Sequence, residues 1–311
     1  MTLGQLSAFV LVARLGSVTD AARALGVSEP AVSQALAALR HHHGDKLIER
    51  TTAGMTLTPG GTRLLPIASQ MVALGADADA AVREATGMAE RLSVAVSSTI
   101  AEFVANPLLA AFAARSGQAV DASAGLAEVA EMPVLLTNRL ADAALGPCLD
   151  GGLDSVPVFR CTLVAVGSPR DRHHGSPARW PWLVGPAGTD PDSDVARLLG
   201  RLGVPDSELS VFPNQTAAWS AAANGSGVSI AVEHLAAPQL RRHELVVVPT
   251  PLTPARICWH ITTLPRDRRS TGASALRHFL GTAPAMLLMR SPGRGVPPSR
   301  FRPPVYVTIW S

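Results

Sequence analysis

The chain has 311 residues, 47% of them apolar and 16% charged, with three cysteines and a formal net charge of +3. That length implies two or three domains, the apolar share excludes disorder of the whole chain, and so few cysteines exclude a disulfide-stapled scaffold. The charge is uneven: from Pro265 onward eight Arg stand against one Asp, so the rest of the chain is mildly acidic at −4.

Residues 3–14 place Leu3, Leu6, Phe9, Val10 and Ala13 at helical spacing, and Gly16 ends that predicted helix. Ser17 is the cap of a second helix, with Asp20 as an imperfect capping-box partner. Ala21, Ala22 and Leu25 form its inner face, Gly26 stops it, and Val27 is expected to be a buried turn residue. Ser28 caps a third helix whose first turn carries Glu29 and Pro30, residues suited to a helix start. Val32, Leu36 and Leu39 are its inner face. Two short helices around a Gly-containing turn are a helix-turn-helix, closed here by the first helix. The outer face of the third helix offers Glu29, Ser33, Gln34 and Ala37, small and amide side chains that fit a major groove. Beyond Gly44, the runs 47–50 and 55–58 flank Thr51-Thr52-Ala53-Gly54 and read as a β-wing. Thr58 then caps a helix with Pro59 at its first position.

These residues in one register, Ala22…Leu25-Gly26-Val27-Ser28-Glu29-Pro30-Ala31-Val32-Ser33…Leu36…Leu39…Gly44…Leu47-Ile48…Arg50, followed by Leu57-Thr58-Pro59…Gly61, resemble the winged helix-turn-helix of LysR-type transcriptional regulators. The chain departs from the family's usual Gln at Glu29, usual acid at Arg40 and usual Phe at Ile48. A carboxylate at position 29 repels phosphate but accepts from cytosine N4. Segment 1–60 has five basic and four acidic residues, a thin balance for a DNA binder. A winged helix used for protein contacts is the competing reading.

Residues 59–88 are predicted as one long helix. Leu64, Ile67, Met71, Leu74, Ala78 and Ala81 are spaced 3, 4, 3, 4 and 3, a heptad seam. That narrow stripe and the resemblance favour dimerisation over packing on the helix's own domain. Pro66 is expected to bend the helix and Gly87 to end it.

Further on, residues 92–96 read as a strand, Ser97-Ser98-Thr99 as a hydroxyl-rich helix start, and Phe103, Leu108, Leu109 and Phe112 as that helix's apolar side. Later strands are predicted at 133–136, 141–145, 163–166, 182–184, 210–212, 228–232, 245–248 and 257–262, and helices at 192–202, 215–224 and 274–280. Strands alternating with helices argue for parallel sheets covered on both faces.

The resemblance implies an α/β protein with an N-terminal all-α winged helix-turn-helix (1–60), a linker and dimerisation helix (61–90) and an effector domain (91–285). The last would be two doubly wound α/β subdomains resembling type 2 periplasmic binding proteins, 91–160 with 263–285 and 162–262. The chain would cross between them near 160–162 and 262–264. The local matches are Asn214-Gln215-Thr216…Ala223-Asn224-Gly225-Ser226-Gly227-Val228 and Asp142-Ala143-Ala144-Leu145-Gly146. The implied function is a sequence-specific regulator of transcription, not an enzyme, whose DNA binding responds to a small effector in the cleft. Ser28, Glu29, Pro30, Ser33, Gln34 and Arg50 would meet DNA. Ser97, Ser98 and Thr99 would face Asn214, Gln215 and Thr216 around the effector, a small carboxylate being the natural guess although no Arg or Lys is obviously placed to pair with it. Leu64, Ile67, Met71 and Leu74 would join a homodimer or homotetramer, and RNA polymerase stays open as a partner. An effector-independent architectural DNA-binding dimer is the alternative.

No cofactor and no metal is implied. His41-His42-His43 are consecutive on a helix and cannot converge on one ion. His173-His174 sits in a loop with Arg170 and Arg172 and reads as solvated. Gly225-Ser226-Gly227 follows a helix, the wrong context for a phosphate loop. Cys161 and Cys258 fall near the two crossings, which leaves a redox pair open beside the commoner buried thiols. No run matches a membrane span, and Leu6–Ala13 with Arg14 behind it has the wrong order for a signal peptide, so the expected location is the cytoplasm. The Arg- and Pro-rich tail 286–311 reads as disordered, with a reading-frame change near the natural end as the competing explanation.

Overall fold

The computed structural model describes residues 1–51, 54–117, 119–171 and 174–291. The turn of the wing at Thr52 and Ala53, Arg172 and His173 of the charged loop, and the tail from residue 292 lie outside the described residues.

The reader begins with α1 (Leu3–Leu15), whose N-terminus is closed by a full capping box between Thr2 and Gln5. It continues through α2 (Val18–Leu25) and α3 (Glu29–His43). Ser17 and Ser28 accept from the N–H groups of Asp20 and Ala31, and Gly16, Gly26 and Gly44 end the three helices in the left-handed conformation. Leu6, Phe9, Val10, Ala21, Ala22, Val32, Leu36 and Leu39 fill the core between them. Val27 is a correction: it is 45% exposed. Its N–H closes the end of α2 on the Ala22 carbonyl at 3.0 Å, which leaves the side chain at an outer corner of the turn.

The wing pairs β1 (Ile48–Thr51) with β2 (Gly54–Leu57), Ile48 opposite Leu57. Thr58 accepts from Gly61 N–H at 2.9 Å and so caps α4 (Pro59–Ala85), which Pro66 does not interrupt. Two faces of α4 differ. Leu65, Ala68 and Val72 are buried within the reader core, Leu64 and Met71 are half-buried, and Ile67, Leu74 and Val82 are exposed at 55%, 66% and 63%. Gly87 follows the helix with φ +65°.

The sensor then builds β3 (Glu90–Val96), α5 (Ser98–Phe103), α6 (Ala105–Arg115), β4 (Val120–Leu126), α7 (Met132–Thr137) and β5 (Ala143–Gly146). After it come β6 (Asp154–Gly167), β7 (Trp182–Val184), α8 (Asp194–Arg201), β8 (Leu209–Val211), α9 (Gln215–Ala223) and β9 (Val228–Val232). The described residues close with α10 (Ala237–Arg241), β10 (Val246–Val248), β11 (Ala255–Thr263), α11 (Thr271–Leu280) and α12 (Ala283–Arg290). One mixed sheet runs β4-β3-β5-β11-β6-β9-β7-β8, with β10 beside β6. Its two ends are parallel, β4-β3-β5 and β9-β7-β8, as the βα alternation suggested. The antiparallel centre, where β6 and β11 lie side by side, was not foreseen.

Segment 133–136 is a second correction: it is helix, not strand. Pro133 sits in the first turn of α7 and Met132, Leu135 and Leu136 are buried at helical spacing. The adjoining strand, β4, has the sequence Val-Asp-Ala-Ser-Ala-Gly-Leu, too poor in β-branched residues to be read. Segment 286–290 is a third correction, since α12 covers it: Ala285 and Met289, four apart, are buried against the sensor core. The second passage between the halves of the sheet also falls earlier than 262–264. β11 joins β5 from His260 onward, just past a register shift at Trp259/His260. Among the described residues no helix is long and apolar enough to cross a membrane.

Candidate functional site

Ser28 holds the start of α3 by accepting from Ala31 N–H. Glu29, Pro30, Ser33 and Gln34 are exposed, and their i, i+4 spacing sets them on one face. The opposite face carries buried Val32, Leu36 and Leu39. Arg50 is exposed on β1, opposite Met55. Asp45 locks the wing: its carboxylate accepts from Leu47 N–H at 2.6 Å and Thr58 Oγ1 at 2.8 Å, bonds that hold its pKa below the usual range. Arg40, a departure from the family pattern, donates to the carbonyls of Lys46 and Ile48 at 2.9 and 3.4 Å, so it ties α3 to the wing. Sequence alone gave no signal for that role, because both acceptors are backbone. His41, His42 and His43 are exposed in the last turn of α3, and no metal-binding group occurs among the described residues.

In the sensor, Ser97, Ser98 and Thr99 line a cavity between the two halves of the sheet, with Pro147, Leu163, Ile257 and Trp259 as apolar wall and Asp190, Ser193 and Asp194 opposite. Its volume is about 30 Å³, too little for a metabolite in this closed arrangement. Ser97 caps α5 without a side-chain hydrogen bond, which leaves its hydroxyl for the cavity. Burial pushes the Asp194 carboxyl above the usual carboxylate range. No Lys or Arg is in this lining, so its charge disfavours the carboxylate ligand that the sequence suggested.

Asn214, Gln215 and Thr216 are not brought to this cavity. Asn214 caps α9 by accepting from Ala217 N–H, and the Gln215 side chain is buried, donating to Ser229 Oγ and the Ile230 carbonyl. The free end of α9 is filled by Glu102 of α5. Its carboxylate accepts from Gln215 N–H at 2.8 Å, Thr216 N–H at 2.9 Å and Thr216 Oγ1 at 2.5 Å. Phe103 stacks on Trp219 beside it, ring centroids 5.2 Å apart. Sequence reasoning missed Glu102 because its partners lie over a hundred residues away, although an acid is the expected companion of helix N–H groups.

On the paired strands, alternation puts Arg160, Thr162, Arg256 and Cys258 on one face and Cys161, Leu163 and Ile257 on the other. Cys161 and Cys258 therefore point to opposite faces, and both are free. Burial pushes the Cys161 thiol up to about 12, so it stays protonated and inert at neutral pH. The redox pairing left open by the sequence has no geometry to support it.

Comparison with known proteins agrees with this architecture. Residues 3–62 match the family model described as bacterial regulatory helix-turn-helix protein, lysR family, and residues 85–285 match that of the LysR substrate binding domain. An uncharacterized HTH-type transcriptional regulator of Mycobacterium tuberculosis is 33% identical over 323 residues, covering 100% of both chains. The HTH-type transcriptional regulator CfxR of Cupriavidus necator is 29% identical over 312 residues, covering 96% of this chain and 97% of its own. Among solved structures, the full-length virulence activator AphB of Vibrio cholerae superposes with a TM-score of 0.56 at 18% identity, covering 90% of this chain and 98% of AphB. A peroxide-bound OxyR of Corynebacterium glutamicum gives 0.54 at 19% identity, covering 98% of each. Both share the fold. With a reader matching one family model and a sensor matching the other, the chain belongs to the LysR family of DNA-binding transcriptional regulators and carries that family's substrate-binding domain.

Proposed function

We propose that two copies of this chain read a two-fold-related DNA site through α3 and the wing, and that a small effector in the sensor cleft modulates that binding. The observation that carries this reading is the exposed set Glu29, Pro30, Ser33 and Gln34 on one face of a capped helix within the matched helix-turn-helix. Ser33 and Gln34 would reach base edges, Glu29 and Pro30 would face the groove, and Arg50 and the Ser28 turn would meet the sugar-phosphate backbone. The helix α4 supplies the seam between copies. Ile67 and Leu74 lie open on its surface with Leu64 and Met71 beside them, the stripe a second copy would cover, as a dimer or a tetramer of two dimers. The chain acts as a regulator and not as an enzyme, in the cytoplasm with its DNA.

Ser97, Ser98 and Thr99 would hold the effector against Asp190 and Asp194. That lining suits a polar ligand bearing an amine or another strong donor better than a bare carboxylate. The cleft must open to admit it.

The test is a mobility shift on the DNA just upstream of the chain's own gene, across a salt series. Ser33→Ala should relax sequence preference by about 1–3 kcal/mol for one base step. Arg50→Ala should weaken binding to all sequences alike and lower the salt slope by about one. No shift at low salt from folded, dimeric protein would sink the DNA-reading assignment.

A further inference from the structure

Arg23, near the end of α2, lies away from the outer face of α3, yet three carboxylates share its guanidinium. Asp20 is in its own helix at 2.6 Å. The other two, Glu128 and Glu131, belong to the sensor segment between β4 and α7, each at 3.1 Å. Glu131 is buried, and its second oxygen accepts from Glu128 N–H at 2.8 Å, so the carboxylate is fixed from both sides. Between the two acids, Val129 is buried in a cluster that also holds the reader core. Its N–H donates to Asp190 Oδ2 at 2.9 Å. Asp190 comes from the other half of the sheet, just ahead of α8, and lines the cavity that Ser97, Ser98 and Thr99 share. One four-residue segment is thus bonded to the reader through its acids and to the far wall of the cleft through its backbone.

We propose that Arg23, Glu131 and Asp190 are positioning residues, and that segment 128–131 passes the state of the cleft to the reader. The proposal rests on the reading of that cleft as the effector site. Opening the cleft separates Asp190 from Val129 and leaves a buried N–H without its acceptor, so the segment must shift to satisfy it. A shift there moves both sensor acids that hold Arg23. A second ion pair, Arg139 with Asp77 of α4 at 3.3 Å, does not pass through the segment, and the apolar cluster that the reader shares with Met132, Leu135 and Leu136 keeps the reader attached. The reader therefore changes orientation on the sensor without coming free. Three discrete bonds, each made or broken, give the coupling a two-state element.

Amide hydrogen exchange on the full-length protein tests this without any effector. Asp190→Asn should speed exchange in α2 about fivefold while leaving α8 capped and β1–β2 unchanged. Arg23→Ala should speed the Val129 amide by a similar factor, and combining the two changes should add little at either place. Arg197→Ala, which loses a surface pair with Asp192 at 3.8 Å and a charge near Asp194 but no bond to segment 128–131, should leave both regions at the wild-type rate. Should Asp190→Asn fold poorly, Glu131→Gln keeps the shape of the segment and should give the same effect in α2. If either cleft or segment variant changes residues 127–131 alone and leaves α2 at the wild-type rate, the proposal is overturned. A Ser98→Ala protein that keeps the exchange coupling but responds to no ligand differently from wild type would strike the effector reading and spare the relay.

Discussion

At residue 61 only hydrogen fits. A Cβ there would stand 2.0 Å from the Leu47 carbonyl oxygen and 3.1 Å from Leu57 Cδ2, between the first turn of α4 and the wing. Gly61→Ala should therefore cost about 1–3 kcal/mol and lower the melting temperature of the reader, with DNA affinity falling alongside. In the sensor, Asp154 accepts from Arg269 at 2.5 Å and Arg277 at 2.6 Å, and the Arg269 side chain is buried. Asp154→Ala leaves that guanidinium without a carboxylate and should cost about 1–3 kcal/mol, read as a lower denaturation midpoint. Titration works in both directions here. The two arginines hold Asp154 below the usual range, so its stabilisation is present above the ordinary carboxylate pKa and is lost as pH falls through the lowered value. Burial raises Glu131, Asp142 and Asp194 instead. Their favourable contribution is full below the ordinary carboxylate pKa and disappears as pH rises through the raised values. Thermal stability should thus increase slightly from neutral into mildly acid solution before acid unfolding begins. Glu131→Gln and Asp194→Asn should flatten that rise, and an unchanged profile would contradict the assignment.

At the scale of elements, the legible parts of the sequence were those whose signals are local. Ser17, Gly26, Ser28, Pro30 and Gly44 each act within one turn, so the bounds of α2 and α3 could be read directly. Thr58 and Pro59 did the same for α4. Segment 133–136 failed because a four-residue apolar run fits either a strand or a helix, and here packing under the reader decided for α7. The site divides along the same line. Ser97, Ser98 and Thr99 follow a strand in the sequence, so their place at a helix start beside the cavity was legible. Glu102 and Asp190 gain their meaning from partners across the cleft, which no local pattern encodes. Helix α4 shows both kinds of information at once: its heptad positions were legible, but the division of labour between Leu65, Ala68 and Val72 inside and Ile67 and Leu74 outside came only with α1 in place. Leu74→Glu should leave the fold intact and reduce the mass measured by light scattering, whereas Val72→Ala should lower stability by about 1–3 kcal/mol without changing assembly.

The molecule as a whole is drawn shut across its cleft by two ties, Asp190 on Val129 and Glu102 on the start of α9. Ligand entry must break at least one, so any effector competes against bonds the protein already makes to itself. A thermal-shift panel should find amines and polyhydroxylated compounds ahead of simple carboxylates, and Asp194→Asn should remove the response to the amines. Glu102 carries a different consequence. Its carboxylate sits where a free anion would bind, so the chain supplies its own occupant for that seat. Glu102→Ala would empty the seat while keeping its three donors, and added acetate or formate should then restore the lost stability by chemical rescue. A scaffold with such a vacancy is a starting point for building sensors to small organic acids, a class of signal unlike the amines proposed for the native cleft.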